Sequence, residues 1–393
     1  MNFKLRLLIL VFICILLLIY NLYFTTTNYE QFEGTPQLKQ NLANTTLNKY
    51  PSLSAFAALK YDKRVVAWGN SDYGGQSPEN LSNVKNIFSN EWAFAALTND
   101  NRVITWGYDD YGGQSPEDLS NVKNIFSTTS AFAALTNYNR VITWGYSEYG
   151  GQTPESLSNV VNIFSNEWAF AALTNDNRVI TWGNDGYGGL ISEDIQTQLN
   201  SNVKNIFSNM GSFVALKEDG SVVAWGNDNY GGQSPEDLSD VINIFSTTAA
   251  FAALKDDGSV ITWGSSNHGG QSPTDLSNVI SIFSTVHSFA ALKDDKSVVA
   301  WGNDDYGGDY PDDLSNVVNI FSNKYAFAAL KDDGSVVAWG LELDGGVIPE
   351  NKQTQLNSDV INIFSTEKAF AALKNNGSVI AWGNPNVGGE IPL

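Results

Sequence analysis

The dipeptide Trp-Gly recurs at Trp68, Trp106, Trp144, Trp182, Trp225, Trp263, Trp301, Trp339 and Trp382, with successive gaps of 38, 38, 38, 43, 38, 38, 38 and 43 residues. A fixed period in this range means one small unit copied along the chain. A single repeat body is therefore expected from 393 residues, not two or three unrelated domains. The gaps carry a second period, since Trp68 to Trp225 and Trp225 to Trp382 are each 157 residues. A block of four units is thus duplicated and followed by one more. The two long steps hold matching inserts at 196–200 and 353–357, both reading QTQLN.

One unit can be read from Val241 to Gly270. The run VINIFS (241–246) is apolar, β-branched and aromatic, which predicts a strand. A short turn at Thr247–Ala249 leads to FAALK (251–255) and then VITW (260–263), two further strands. Asp256-Asp257-Gly258-Ser259 joins them as a hairpin turn that needs a positive φ at its glycine. Asn101, Asn139 and Asn177 hold that place in earlier copies, and Asn is the side-chain-bearing residue that best tolerates this conformation. A return segment with a core such as Tyr230-Gly231-Gly232 completes the unit, and no helical period is visible. Both faces of the middle strand are apolar, with Phe251 and Ala253 on one side and Ala252 and Leu254 on the other. A sheet with one wet face would alternate apolar with polar. Sheets stacked on both sides are expected, so the fold class is all-β, a β-propeller of about nine short three-stranded blades over residues 51–393. A β-solenoid competes, but its coils are usually shorter and need no tight hairpin.

The consensus FAALKDDGSVVAWGNDDYGGQ, assembled from copies such as 327–339 and 300–308, resembles the regulator of chromosome condensation repeat. Its short period resembles more closely a bacterial β-lactamase-inhibitory propeller with three-stranded blades. The resemblance implies a propeller, usually of seven blades, whereas nine units are present here. Ala250 and Ser288 stand where the family has a histidine, and its GQLG ending has become GGQSP. Unit one is degenerate, with Pro51 interrupting its first strand. Neither nucleotide exchange on a small GTPase nor β-lactamase inhibition carries over through these departures.

Acidic residues outnumber basic ones by 42 to 22, for a net charge of −20, which repels phosphate backbones and argues against nucleic acid as a partner. The single cysteine, Cys14, precedes the repeats, and the two histidines, His268 and His287, are too sparse for a metal site or a serine-type triad. The Asp-Asp-Gly turns lack the alternating oxygen ligands of a calcium loop. The Gly-Gly pairs lack the Lys-Ser/Thr of a phosphate loop. No enzyme, metal or cofactor is expected. Trp225 and Trp263 could suggest a sugar platform, but their constant place at the end of an apolar strand points to packing between blades.

Residues 1–29 read as a signal-anchor. Lys4 and Arg6 precede an apolar run from Leu7 to Phe24, which as a helix spans about 27 Å. The flanking charge puts the amino terminus in the cytoplasm and the repeats outside it. Secretion after cleavage is the alternative, although no small-residue cleavage site follows the run. Residues 30–50 read as a polar tether.

The expected function is recognition of a protein or cell-surface ligand, with an enzyme-capping inhibitor or a carbohydrate-binding lectin as alternatives. In an antiparallel three-stranded blade, the turn after strand one and the end of strand three share one side. On that side the residues vary between copies: Trp92, Trp168, Gly211, Ala249, His287, Tyr325 and Lys368 are equivalent. The hairpin side is nearly uniform. Variation among exposed aromatics suits binding, so Trp92, Trp168, His287, Tyr325 and Lys368 are the candidate partner-binding residues. Tyr73, Tyr111, Tyr149, Tyr187, Tyr230 and Tyr306 are placed near the same rim.

Overall fold

A computed structural model describes residues 50–117, 119–154, 157–274, 276–312 and 314–391. The expected membrane segment, 1–29, and all of the tether except Tyr50 lie outside the described residues. Among the described residues no helix is long and apolar enough to cross a membrane.

Each repeat folds as an antiparallel meander. Among the described residues eight sheets have three strands, and the first has two, Ala55–Leu59 and Val65–Gly69. The place of a first strand in this sheet, 46–51 by the repeat phase, lies outside the described residues except for Tyr50 and Pro51, which are in no strand, in keeping with a proline that supplies no N–H to a ladder. By internal contacts the chain divides into two compact units, one spanning Lys39–Val317 and the other containing Val318–Leu393.

The unit read from sequence shows why the strands form. Val241–Ser246 pairs with Ala250–Lys255, which pairs with Val260–Gly264, so Phe251 faces Ser246 on one side and Trp263 on the other. A bulge lies between Val241 and Asn243, leaving Ile242 without a partner in the register, and the Asn243 side chain accepts from the Ile244 N–H at 2.9 Å. The turn closes with Gly258 at φ +78°, and the Asp257 carboxylate accepts from the Ser259 N–H at 2.9 Å and its hydroxyl at 2.6 Å. The Asp-Asp-Gly segment is thus a hairpin whose carboxylate caps its own backbone. Asn101, Asn139 and Asn177 take φ of 58–60° at the same point, as expected. Lys63 and Lys296 do so too, at 65°.

Within Lys39–Val317 successive sheets pack face to face. Ala250, Ala252 and Leu254 meet Ile282, Phe289, Ala291 and Trp301 of the following sheet. On the opposite face, Phe251, Ala253 and Trp263 meet Phe207, Val214 and Leu216 of the preceding one. The middle strand is therefore buried on both faces, which explains its unbroken apolar sequence. Each fully buried Phe contributes roughly 1.5–3 kcal/mol, and the alanines let neighbouring sheets approach. In Val318–Leu393 the same pattern joins Ala326, Ala328 and Leu330 to Ile363, Phe370, Ala372 and Trp382.

The two inserts depart from the all-strand expectation. Glu193–Gln198 and Glu350–Gln353 are short α-helices. Ser192 caps the first, its hydroxyl accepting from the Ile195 N–H, with Glu193 and Asp194 in the first turn.

Candidate functional site

The rim is built from two loops per repeat, held together by one side chain. In the turn after strand one, the Asn166 side-chain oxygen accepts from the N–H groups of Trp168 at 2.9 Å and Ala169 at 2.7 Å. Its amide nitrogen donates to the carbonyl of Tyr187, in the return loop, at 2.7 Å. Asn90, Asn209 and Asn323 repeat the arrangement. Thr128, Thr247, Thr285 and Thr366 reproduce the link to the return loop through a hydroxyl. Sequence reasoning did not single out these positioning residues, all buried except the exposed Thr366, although one Asn or Thr at a fixed place in each of these turns was the available signal.

The return loops explain the glycine pairs. Gly112 sits at φ +108°, and a Cβ there would lie 2.6 Å from the Phe132 ring of the next repeat. A Cβ on Gly113 would lie 2.3 Å from the Gly107 carbonyl oxygen. These pairs thus permit close approach of backbone and ring. The Trp-Gly indoles use the same loops: Trp144 donates to the Gly112 carbonyl at 3.1 Å and Trp263 to that of Gly231 at 3.0 Å. Each indole also stacks on the Phe paired with it, as in Phe251–Trp263 at 5.4 Å. Only Trp68 of the nine is half exposed; Trp225 and Trp263 are buried at 3% and 6%, which removes them as sugar platforms.

The candidate residues stand where the repeat phase puts them, half-buried on the rim, in separate groups. Trp92 lies between Tyr73 and Tyr111, at 5.1 and 5.0 Å, nearly parallel to both. The run continues from Tyr111 to Tyr146 at 5.4 Å and on to Tyr149 at 5.1 Å, with Tyr108 against Tyr111 at 5.2 Å. Tyr108 and Tyr146, which occupy the place of Asn, Ser or Leu341 in other return loops, were missed; Tyr108 is 40% exposed. Trp168 packs on Tyr187, and Tyr230 reaches both across the space left open at Gly211. His287 lies between His268 and Tyr306, 4.5 Å from each. In the other unit Tyr325 holds two cations over its ring, Lys324 at 5.4 Å and Lys368 at 5.2 Å. Lys324 also pairs with Glu367 at 2.9 Å. The structure therefore brings Tyr325 and Lys368 together, and gives Trp92, Trp168 and His287 each its own aromatic neighbours.

Burial sets the titration of several rim groups. It pushes the Glu91 carboxyl up and holds the His268 imidazole down, favouring its neutral form. Burial also raises the Tyr230 phenol, with Tyr187 and Glu167 adding to the effect. Among the described residues no group of three or more His, Cys, Asp or Glu is placed to hold a metal.

No protein-family model and no curated protein matches this sequence. Among solved structures, the chain is similar to the ectodomain of the Physcomitrella patens receptor kinase CR4, at 15% identity over 68% of this chain and 76% of that one, with a TM-score of 0.39. It is similar to Prp20p from Saccharomyces cerevisiae at 17% identity over 58% and 73%, with a TM-score of 0.36. The ectodomain of the Arabidopsis thaliana receptor kinase ACR4 gives 16% identity over 66% and 93%, with a TM-score of 0.34. Likeness at this level carries no argument about function.

Proposed function

We propose that this chain is a non-enzymatic recognition protein whose repeats close into a β-propeller of about nine short blades, carried outside the cytoplasm on an amino-terminal membrane helix. Its aromatic rim binds a partner protein or surface ligand. The observation that supports this reading is the half-exposed array Tyr73–Trp92–Tyr111–Tyr146–Tyr149, set on loops that buried Asn and Thr side chains hold to a rigid sheet. Large amphipathic rings on pre-ordered loops bind at low entropic cost. The −20 charge suits a partner with a basic surface and disfavours nucleic acid.

The test compares two folded variants for capture of the partner. One carries Trp92→Ala, Trp168→Ala and Tyr325→Ala; the other carries Asp256→Asn, Asp257→Asn and Asp332→Asn on the hairpins. Loss of capture with the first set alone supports the rim. Loss with the hairpin set alone rejects it.

A further inference from the structure

The duplication of 157 residues provides an internal comparison around the two inserts. In the second copy, Lys352 on the helix Glu350–Gln353 donates from Nζ to the carbonyl oxygens of Ala381, at 2.7 Å, and Gly389, at 3.2 Å. Ala381 lies in Val379–Gly383, an edge strand, and its carbonyl points away from the neighbouring strand toward that ammonium.

The first copy keeps the scaffold and drops the ammonium. Gln196 donates to the Val179 carbonyl and to Asn200, as Gln353 does to Val336 and Asn357. Lys217 donates to the Gln198 carbonyl at 3.1 Å, as Lys374 does to that of Gln355. The edge strand has the same register, Ala224 opposite Val214 as Ala381 is opposite Ala371, so the Ala224 carbonyl has the same outward aim. In place of Lys352 stands Ile195, which packs with Ile191 against the sheet core. Beside it is a groove of about 690 Å³, lined by Ile195, Ala224 and Gly232 and by the acidic residues Asp185, Asp228, Glu236 and Asp237. Lys217 also lines it, but its ammonium already has the Gln198 carbonyl as acceptor.

We infer that this groove binds a primary alkylammonium group, presented by a lysine side chain of a polypeptide or by a free aliphatic amine. The carbonyls of Ala224 and Gly232 accept the ligand's N–H groups, as those of Ala381 and Gly389 accept from Lys352. The surrounding carboxylates supply the charge that the neutral carbonyls lack. The volume accommodates a whole lysine side chain with its flanking backbone.

Calorimetric titration of the purified full-length chain tests this, with Nα-acetyl-lysine amide, its Nε-acetylated analogue and cadaverine as probes. Saturable binding of at least one amine is expected, with the Nε-acetylated analogue at least about tenfold weaker than Nα-acetyl-lysine amide. Whichever of lysine amide and cadaverine binds tighter identifies the source. Ile195→Lys, which restores the ammonium of the second copy, is expected to abolish binding while the circular dichroism stays that of the parent. The exposed changes Asp228→Asn and Glu236→Gln together are expected to weaken binding by about threefold without touching the core. The inference is overturned if no amine binds saturably, if the acetylated analogue binds equally well, or if folded Ile195→Lys still binds. Unchanged affinity in the Asp228→Asn, Glu236→Gln variant overturns it as well, whether or not Ile195→Lys folds.

Discussion

Two tryptophans at one repeat position separate packing from hydrogen bonding. Trp225 and Trp263 are both buried and stack on Phe213 and Phe251 at 5.3 and 5.4 Å. The Trp263 N–H reaches the Gly231 carbonyl at 3.0 Å, whereas that of Trp225 has no hydrogen-bond partner among the described residues. Replacing either by Phe removes a similar volume, so the cavity cost largely cancels between them. Trp263→Phe also deprives a buried carbonyl of its donor, while Trp225→Phe deletes an unsatisfied buried donor. Each effect is worth about 1–3 kcal/mol, and the two have opposite signs. The expected difference is therefore at least about 2 kcal/mol, with Trp263→Phe the less stable. Urea unfolding followed by far-ultraviolet circular dichroism, at matched slopes, measures it. If Trp225→Phe proves as destabilising as Trp263→Phe, the indole donors do not secure the return loops.

Acid unfolding tests the hairpins. Hydrogen bonds from the Ser two residues on, first the hydroxyl and then the N–H, hold the Asp219, Asp257, Asp295 and Asp333 carboxyls below their usual range. A lowered folded value stabilises above the unfolded value of about 4 and loses that contribution as pH falls through the folded one. Changing all four to Asn should flatten the fall of the urea midpoint as the pH drops below about 4. Gly113→Ala should cost about 2 kcal/mol or more through its clash with Gly107. Gly377→Ala, at φ +83° in open space, should cost only about 1 kcal/mol in the same urea assay. Carbonate extraction with amino-terminal sequencing should find the chain in the membrane still carrying Leu7 to Phe24; a chain starting near Thr25 would exclude the anchor.

The repeat itself was legible because its determinants are local. Gly258 and Asn101 announce positive φ, and the unbroken FAALK run announces burial on both faces. The helices were not legible, because four to six residues are too few to show a period, although Ser192-Glu193-Asp194 is a capping signal in retrospect. The Trp144 bond to Gly112 spans 32 residues and exists only once sheets stack, so no local pattern encodes it. The same holds at the rim: repeat phase placed Trp92 beside the tyrosine loops, but its position between Tyr73 and Tyr111 depends on neighbouring repeats meeting. The Lys352 contact to Ala381 was hidden for the same reason, since only the fold brings that helix to an edge strand.

The most direct test of the recognition account places a photoreactive side chain at position 108, on the rim, or at position 257, on the opposite hairpin, in the full-length chain on cells. Irradiation should cross-link one and the same partner from position 108 and not from 257, and the adduct should vanish when Trp92→Ala, Trp168→Ala and Tyr325→Ala are added. An adduct formed from 257 alone, or one from 108 that survives the three substitutions, would contradict the claim that the aromatic rim is the binding face.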